Sequence, residues 1–294
     1  MLWVVFAILA TLLGSIINII DKFVVTKWVR EPIIPLGIMG FVGAFSSILI
    51  FVIRGVSPLS YLSIIMTLST GVIYVLGTLF YLKALKLGEV SRIIPLFYLS
   101  PVFTLILAGL FLNEVFSVVK YIGIISIVIG AVLISIKKFE RIKITKAFWL
   151  MILASLSYAI YGVLTRYLLN FADYWTIFGY SRIGGLLITV PIFALYYSEL
   201  RYSVSKYGKK VVGLITTNET INIIAVFLIT IAISLGTATL VNSLVSIQPL
   251  FVLIFAFAIT KIHPQALQEE INKKAMIIKL ISIILIVTGA YLIV

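Results

Sequence analysis

The sequence has no cysteine and a single histidine, His263, which Pro264 follows in a loop. Disulfide scaffolds and Cys/His metal centres are thereby excluded, and a lone loop histidine reads as a solvated side chain. Charge is also scarce: 11% of the 294 residues are charged and 62% are hydrophobic, with a mean hydropathy of +1.23. Soluble domains carry about 25% charged residues, so this composition belongs to a chain whose solvent is lipid. No phosphate-cradling loop, nucleophile elbow or metal-binding histidine pair occurs. Neither an enzymatic activity nor a cofactor or metal is therefore expected.

What fills the chain instead is long apolar runs. Ten of them lie near 2–20, 33–53, 61–82, 91–111, 118–136, 147–169, 176–197, 211–233, 237–260 and 275–294, joined by short connections. Each is about the 20 residues that cross a ~30 Å hydrocarbon layer as a helix. Membrane β-strands alternate apolar and polar residues, and these runs do not, so helices are predicted throughout. The opening "MLWVVFAILATLLG" lacks the basic n-region and cleavage site of a signal peptide and reads as the first span.

The net charge of +13 is a topology signal. Most of the basic residues fall after odd-numbered runs: Lys22, Lys27 and Arg30; Lys83, Lys86 and Arg92; Lys137, Lys138, Arg141, Lys143 and Lys146; Arg201, Lys206, Lys209 and Lys210; Lys261, Lys273, Lys274 and Lys279. Under the positive-inside rule that side is cytoplasmic and both termini lie outside, with attraction to anionic lipid as a secondary effect and nucleic acid not a partner.

The halves repeat one another. Shifted by 148, "ALKLGEVSRIIPLFYLSPVFTLILA" from Ala84 falls on "AISLGTATLVNSLVSIQPLFVLIFA" from Ala232, aligning Gly88 with Gly236, Pro101 with Pro249 and Phe103 with Phe251. Shifted by 159, "GIISIVIGAVLIS" from Gly123 falls on "SIILIVTGAYLIV" from Ser282, aligning Gly130 with Gly289; "ILATL" from Ile8 matches "ILASL" from Ile152. Five runs per copy is an odd number, so the second copy enters the membrane from the opposite side. The predicted fold is all-α integral membrane, ten transmembrane helices as two inverted-topology five-helix repeats, residues 1–138 and 139–294. Such symmetry serves a midplane binding site between halves that rock against each other.

An ionisable residue at membrane depth costs roughly 2.5 to 3.5 kcal/mol and normally faces a partner or a wet cavity. Glu219, in "TTNETIN", lies about 12 Å into its run at 1.5 Å per residue, and Asn218 and Asn222 are beside it. Arg182 descends from the other side on the preceding run, at a depth from which it reaches Glu219 as an ion pair or brackets a zwitterionic solute with it. Glu219 is the one intramembrane acid in this reading, with no second acid to match it, so a paired-carboxylate site is not expected. Asn218-Glu219-Thr220 also spells a glycosylation acceptor, which membrane depth rules against. Asn18, Tyr74, Tyr98, Tyr158, Tyr161, Asn242 and Gln248 are further candidates to line a cavity, and Pro95, Pro101 and Pro249, with Pro191, interrupt helices where a bend or gate is needed. Gly37, Gly40 and Gly43, with Ala44, form a small face for close helix packing. Under the 148 shift Glu219 falls on Gly71, so the acid is an asymmetric addition to a symmetric frame.

These features converge. "ALKLGEVSRIIPLFYLSPVFTLILAGLFLNE" with Pro101 and Glu114, "IGIISIVIGAVLI" with Gly123 and Gly130, and the second copy around Gly236, Pro249 and Gly289 resemble the drug/metabolite transporter superfamily. The closer resemblance, over nearly the whole chain, is to the EamA-like family of ten-helix permeases. It implies residence in the plasma membrane, a small-molecule substrate such as an amino acid or amphipathic compound, a central cavity, and lipid and protons as further partners of a monomer or homodimer. It also implies cytoplasmic termini, against the charge count, and the two alternatives stay open. Asn113 replaces the glycine of the family's glycine-glutamate turn, and the second copy has Ile262 where the first has Glu114. The expectation is a secondary transporter working by alternating access, with a channel or a lipid-translocating protein of the same fold as the alternative.

Overall fold

In hydrocarbon a backbone N–H or C=O finds a partner only along its own helix or in a closed barrel, and continuously apolar runs choose the helix. The computed structural model describes residues 2–29, 33–87, 90–135, 144–262 and 273–294, and among them there is no strand. The His263 loop, Arg30 and the basic cluster from Lys137 to Lys143 lie outside the described residues. The helices are α1 (Leu2–Phe23), α2 (Ile34–Arg54), α3 (Tyr61–Leu87), α4 (Val90–Phe97), α5 (Ser100–Phe111), α6 (Val118–Ser135), α7 (Lys146–Leu168), α8 (Tyr174–Tyr207), α9 (Lys210–Leu235), α10 (Ala238–Val245), α11 (Gln248–Ile262) and α12 (Lys273–Ile293). A π-helical turn, Val24–Trp28, follows α1. Among the described residues nine stretches are long and apolar enough to cross a bilayer, and α12 supplies a shorter apolar helix, Ile277–Ile293. The chain is an all-α, multi-pass membrane protein.

Three departures from the sequence pattern are informative. The fourth and ninth runs are each broken in two, at Tyr98–Leu99 and at Ser246–Ile247, positions that the 148 shift superimposes. Pro101 and Pro249 are each the second residue after the break, where a proline has no helical hydrogen bond to lose. The polar segment after the seventh run is helical rather than a loop: α8 continues to Tyr207, with a kink at Tyr196 where φ is −111° and ψ is 16°.

The packing follows small residues. A methyl group at Gly40 would come within 1.7 Å of Thr189, and one at Gly37 within 2.5 Å of Phe193, so the glycine face of α2 seats α8. On the other flank α6 packs on α12: Gly123 meets the Gly289 carbonyl and Gly130 the Ser282 carbonyl, both 2.9 Å from an added Cβ. As one helix ascends the other descends, so the two run antiparallel. α1 packs on α9 as α3 packs on α7, and α2 on α9 as α8 on α3. Buried hydroxyls bond back to their own helix, Thr11 to the Ala7 carbonyl (2.6 Å), Thr67 to Ser63 (2.6 Å) and Thr230 to Val226 (2.9 Å), while Phe45, Val52 and Leu62 face outward. Polar inside and apolar outside is the distribution lipid demands.

Candidate functional site

α1, α3, α7 and α9, together with the two broken spans, surround a cavity of about 160 Å³, far more than the ~10–15 Å³ of probe-occupied volume that one water needs. The helical period decides what each wall shows. Gly14, Ile17, Asn18 and Asp21 recur at three- and four-residue spacing on one face of α1, as Glu219, Asn222, Val226 and Ile229 do on α9. α3 contributes Tyr74, Thr78 and Tyr81, and α7 Tyr158, Tyr161 and Gly162. The two breaks supply Tyr98 and Ser100 on one side and Ser246 and Gln248 on the other. Tyr98 and Ser246 lie in the turns themselves, and Ser100 and Gln248 open the helices that follow.

The polar groups form linked sets. Tyr74 Oη donates to Asn222 Oδ1 (3.0 Å), and Asn222 Nδ2 donates to Glu219 Oε2 (3.1 Å). Tyr81 Oη donates to Asn18 Oδ1 (3.1 Å), and Asn218 Nδ2 donates to Asp21 Oδ1 (2.7 Å). Thr78 and Tyr158 share a hydroxyl hydrogen bond of 2.9 Å. Asn242 Nδ2 donates to Ser100 Oγ (3.1 Å) and to Thr104 Oγ1, tying the two broken spans together. Tyr74 packs on Tyr158 and Tyr161, and Phe97 packs on Tyr81, Tyr98 and Tyr158, with ring centroids 5.2 to 5.8 Å apart. The wall is therefore aromatic with amide and carboxylate insets.

Of the candidates read from the sequence, Asn18, Tyr74, Tyr98, Tyr158, Tyr161, Glu219, Asn222, Asn242 and Gln248 stand on this wall. Asn218 sits behind it, 3% exposed, holding Asp21 and leaving its own Oδ1 without a partner. Arg182 does not reach Glu219. Its guanidinium lies 4.6 Å from the Tyr74 ring centroid and 5.0 Å from that of Phe178, beside Gly43, Gly71 and Gly185, with Nε buried and unpartnered. In place of the ion pair expected from depth alone, the base makes cation–π contacts with the Tyr74 and Phe178 rings. Pro95 lies within α4, and Pro101 and Pro249 mark the breaks.

The expectation that Glu219 has no matching acid is overturned by Asp21. Both carboxylates line the cavity, and the charge of Asp21 acts on Glu219. Asp21 escaped notice because the apolar run ends at Ile20, one residue short of it, whereas the helix continues to Phe23. The signal was its spacing of three from Asn18, which puts the two on one face.

Fold and site together define a multi-pass helical membrane protein with a solute-sized cavity among its spans, mostly apolar with a few polar insets. Residues 1–136 match the model of the EamA-like transporter family. An uncharacterized protein of Methanocaldococcus jannaschii is 39% identical over 67 residues, which make up 23% of this chain and 49% of that protein, so the chain spans about half the length of this curated relative. A crystal structure of a protein superimposes with a TM-score of 0.72 at 15% identity, covering 99% of this chain and 94% of that one, a likeness of fold.

Proposed function

We propose that the protein is a secondary transporter of a small organic solute, carried by alternating access through the cavity between two five-helix halves, residues 1–138 and 139–294, of opposite topology. The observation that carries this reading is the cavity itself: Asp21, Tyr74 and Tyr98 from the first half face Tyr158, Glu219 and Asn242 from the second. Three features support a two-fold relation between the halves. The helix breaks fall at superimposed positions. Tyr74 and Asn222, 148 apart and so equivalent, bond to each other, as only residues beside a two-fold axis can. Gly123 meets Gly289 while Gly130 meets Ser282, a reciprocal exchange under the 159 shift and the mark of an isologous contact. A site on such an axis opens to one side or the other as the halves rock. The energy source is a proton or solute gradient, since no nucleotide-binding element occurs in the sequence.

The test is counterflow in vesicles reconstituted with the purified protein, after a thermal-shift screen of amino acids, nucleobases and organic cations has supplied a solute. Uptake that saturates and is accelerated by the same solute inside is expected. Gly162 lines the cavity, and a Cβ there meets nothing within 4 Å. Gly162→Trp therefore fills the cavity and abolishes uptake while leaving the melting temperature near wild type. Flux that never saturates and shows no trans-acceleration belongs to a pore and defeats the reading.

A further inference from the structure

The charges around the cavity do not balance. Among the described residues its wall carries two acids, Asp21 and Glu219, and no lysine, arginine or histidine. The nearby base, Arg182, is held against the Tyr74 ring and offsets one negative charge at most. A buried carboxylate without a partner is costly in a low-dielectric interior, so this pair is relieved either by a proton or by a cation entering the cavity. The two carboxylates stand beside rings that pack edge to face on one another, among them Tyr158 and Phe97. Aromatic faces beside carboxylates are the chemistry that holds ammonium groups. Tyr74 already takes a guanidinium on its face, so the rings here do accept a cation.

We infer that the cavity binds one monovalent organic cation, an amine or quaternary ammonium with an apolar body, with Asp21 and Glu219 as its counter-charge and the tyrosine and phenylalanine rings as its lining. This rests on the transporter reading and specifies the solute class. An anion meets two carboxylates and no base on the wall. A zwitterion finds no base on the wall for its carboxylate, Arg182 being engaged with the Tyr74 and Phe178 rings. A bare metal ion leaves the aromatic wall without a role.

Three probes of one shape separate these cases: benzyltrimethylammonium, benzyl alcohol and benzoate, titrated calorimetrically into the full-length protein in lipid nanodiscs. The cation is expected to bind at one per chain and at least about tenfold more tightly than the neutral and anionic probes, the scale of one charge-assisted contact. Glu219→Gln and Asp21→Asn each weaken it by roughly tenfold, and Phe97→Leu by about threefold or more, while benzyl alcohol is unaffected by the carboxylate changes. If a neutralised variant fails to fold, Glu219→Asp and Asp21→Glu take its place and are expected to keep the preference for the cation. The inference is overturned if benzyl alcohol or benzoate binds as tightly as the cation, if the cation does not bind, or if the double neutralisation leaves its affinity unchanged. A neutral or anionic solute that shows counterflow and is blocked by Gly162→Trp would remove the cation assignment and leave the transporter standing. A cation that binds but never crosses in vesicles would do the reverse.

Discussion

Asn113 has a φ of 53°, the left-handed conformation that glycine adopts freely and asparagine better than most other residues. This is why asparagine stands there in a turn for which the family resemblance implies glycine. The turn aims Glu114 at the start of α10, where its carboxylate accepts from Ala238 N (3.1 Å), Thr239 N (3.3 Å) and Thr239 Oγ1 (2.7 Å). One side chain of the first half thus caps a helix of the second. Asn113→Gly is expected to leave the melting temperature unchanged or slightly higher, and Asn113→Val to lower stability by about 1–2 kcal/mol. Glu114→Ala, which frees three donors at once, is expected to cost about 1.5–3 kcal/mol. Thermal melts of the three variants in one detergent decide the order.

Asp173 works in the same way outside the membrane, just ahead of α8. Burial alone raises a carboxyl's pKa, but Ser57 and Thr176 hydroxyls and the Thr176 and Trp175 backbone N–H groups donate to it and hold it below the ordinary carboxylate range. A depressed carboxyl stabilises the fold above its unfolded pKa, and that contribution is lost as pH falls through the folded value. Amide protection at the start of α8, taken relative to the intrinsic exchange rate at each pH, should therefore fall below about pH 4 in the wild type. In Asp173→Ala it should be low at every pH; equal pH profiles for the two proteins would refute the tie.

At the scale of elements, glycines decide where helices touch. A Cβ on Gly71 would lie 1.7 Å from the Ser181 carbonyl oxygen, and one on Gly184 would lie 1.9 Å from that of Leu68, so α3 and α8 meet backbone to backbone. This gives the Glu219 asymmetry a cause: at the equivalent Gly71 there is no room even for a methyl, and the acid has space only in α9. Gly71→Ala is expected to abolish folded protein in membranes, whereas Gly213→Ala, with nothing within 4 Å, is expected to express and melt like wild type. Equal yields would show that the helices separate at little cost. Much of this level was legible in the sequence. Hydropathy located the spans, and the repeated Pro101 and Pro249 pointed to the broken helices. Tyrosines and amides inside apolar runs pointed to the wall they stand on. What was illegible depended on rotation or distance between elements. Asp21 lay just past an apolar boundary, and the contact of Arg182 with the Tyr74 ring is a matter of two helices meeting, which spacing within one run does not encode.

For the whole molecule, alternating access makes a claim that no single residue makes: the cavity meets one side of the membrane at a time. The absence of cysteine, which at first only excluded chemistry, makes the claim measurable, because one introduced thiol is the only thiol. Gly162→Cys places it on the cavity wall, where the added Cβ meets nothing. In sealed vesicles of known orientation, an impermeant maleimide applied from either face reacts at a rate set by the fraction of time the cavity is open to that face. Two conformations share one population, so a solute gradient or a conformation-selective ligand that raises the rate from one face must lower it from the other. A continuous pore imposes no such constraint, and blocking or widening it changes both rates in the same direction. Opposed changes at Gly162→Cys are the expected result, and rates that rise and fall together would rule out rocking halves even if the solute and its site were correctly assigned.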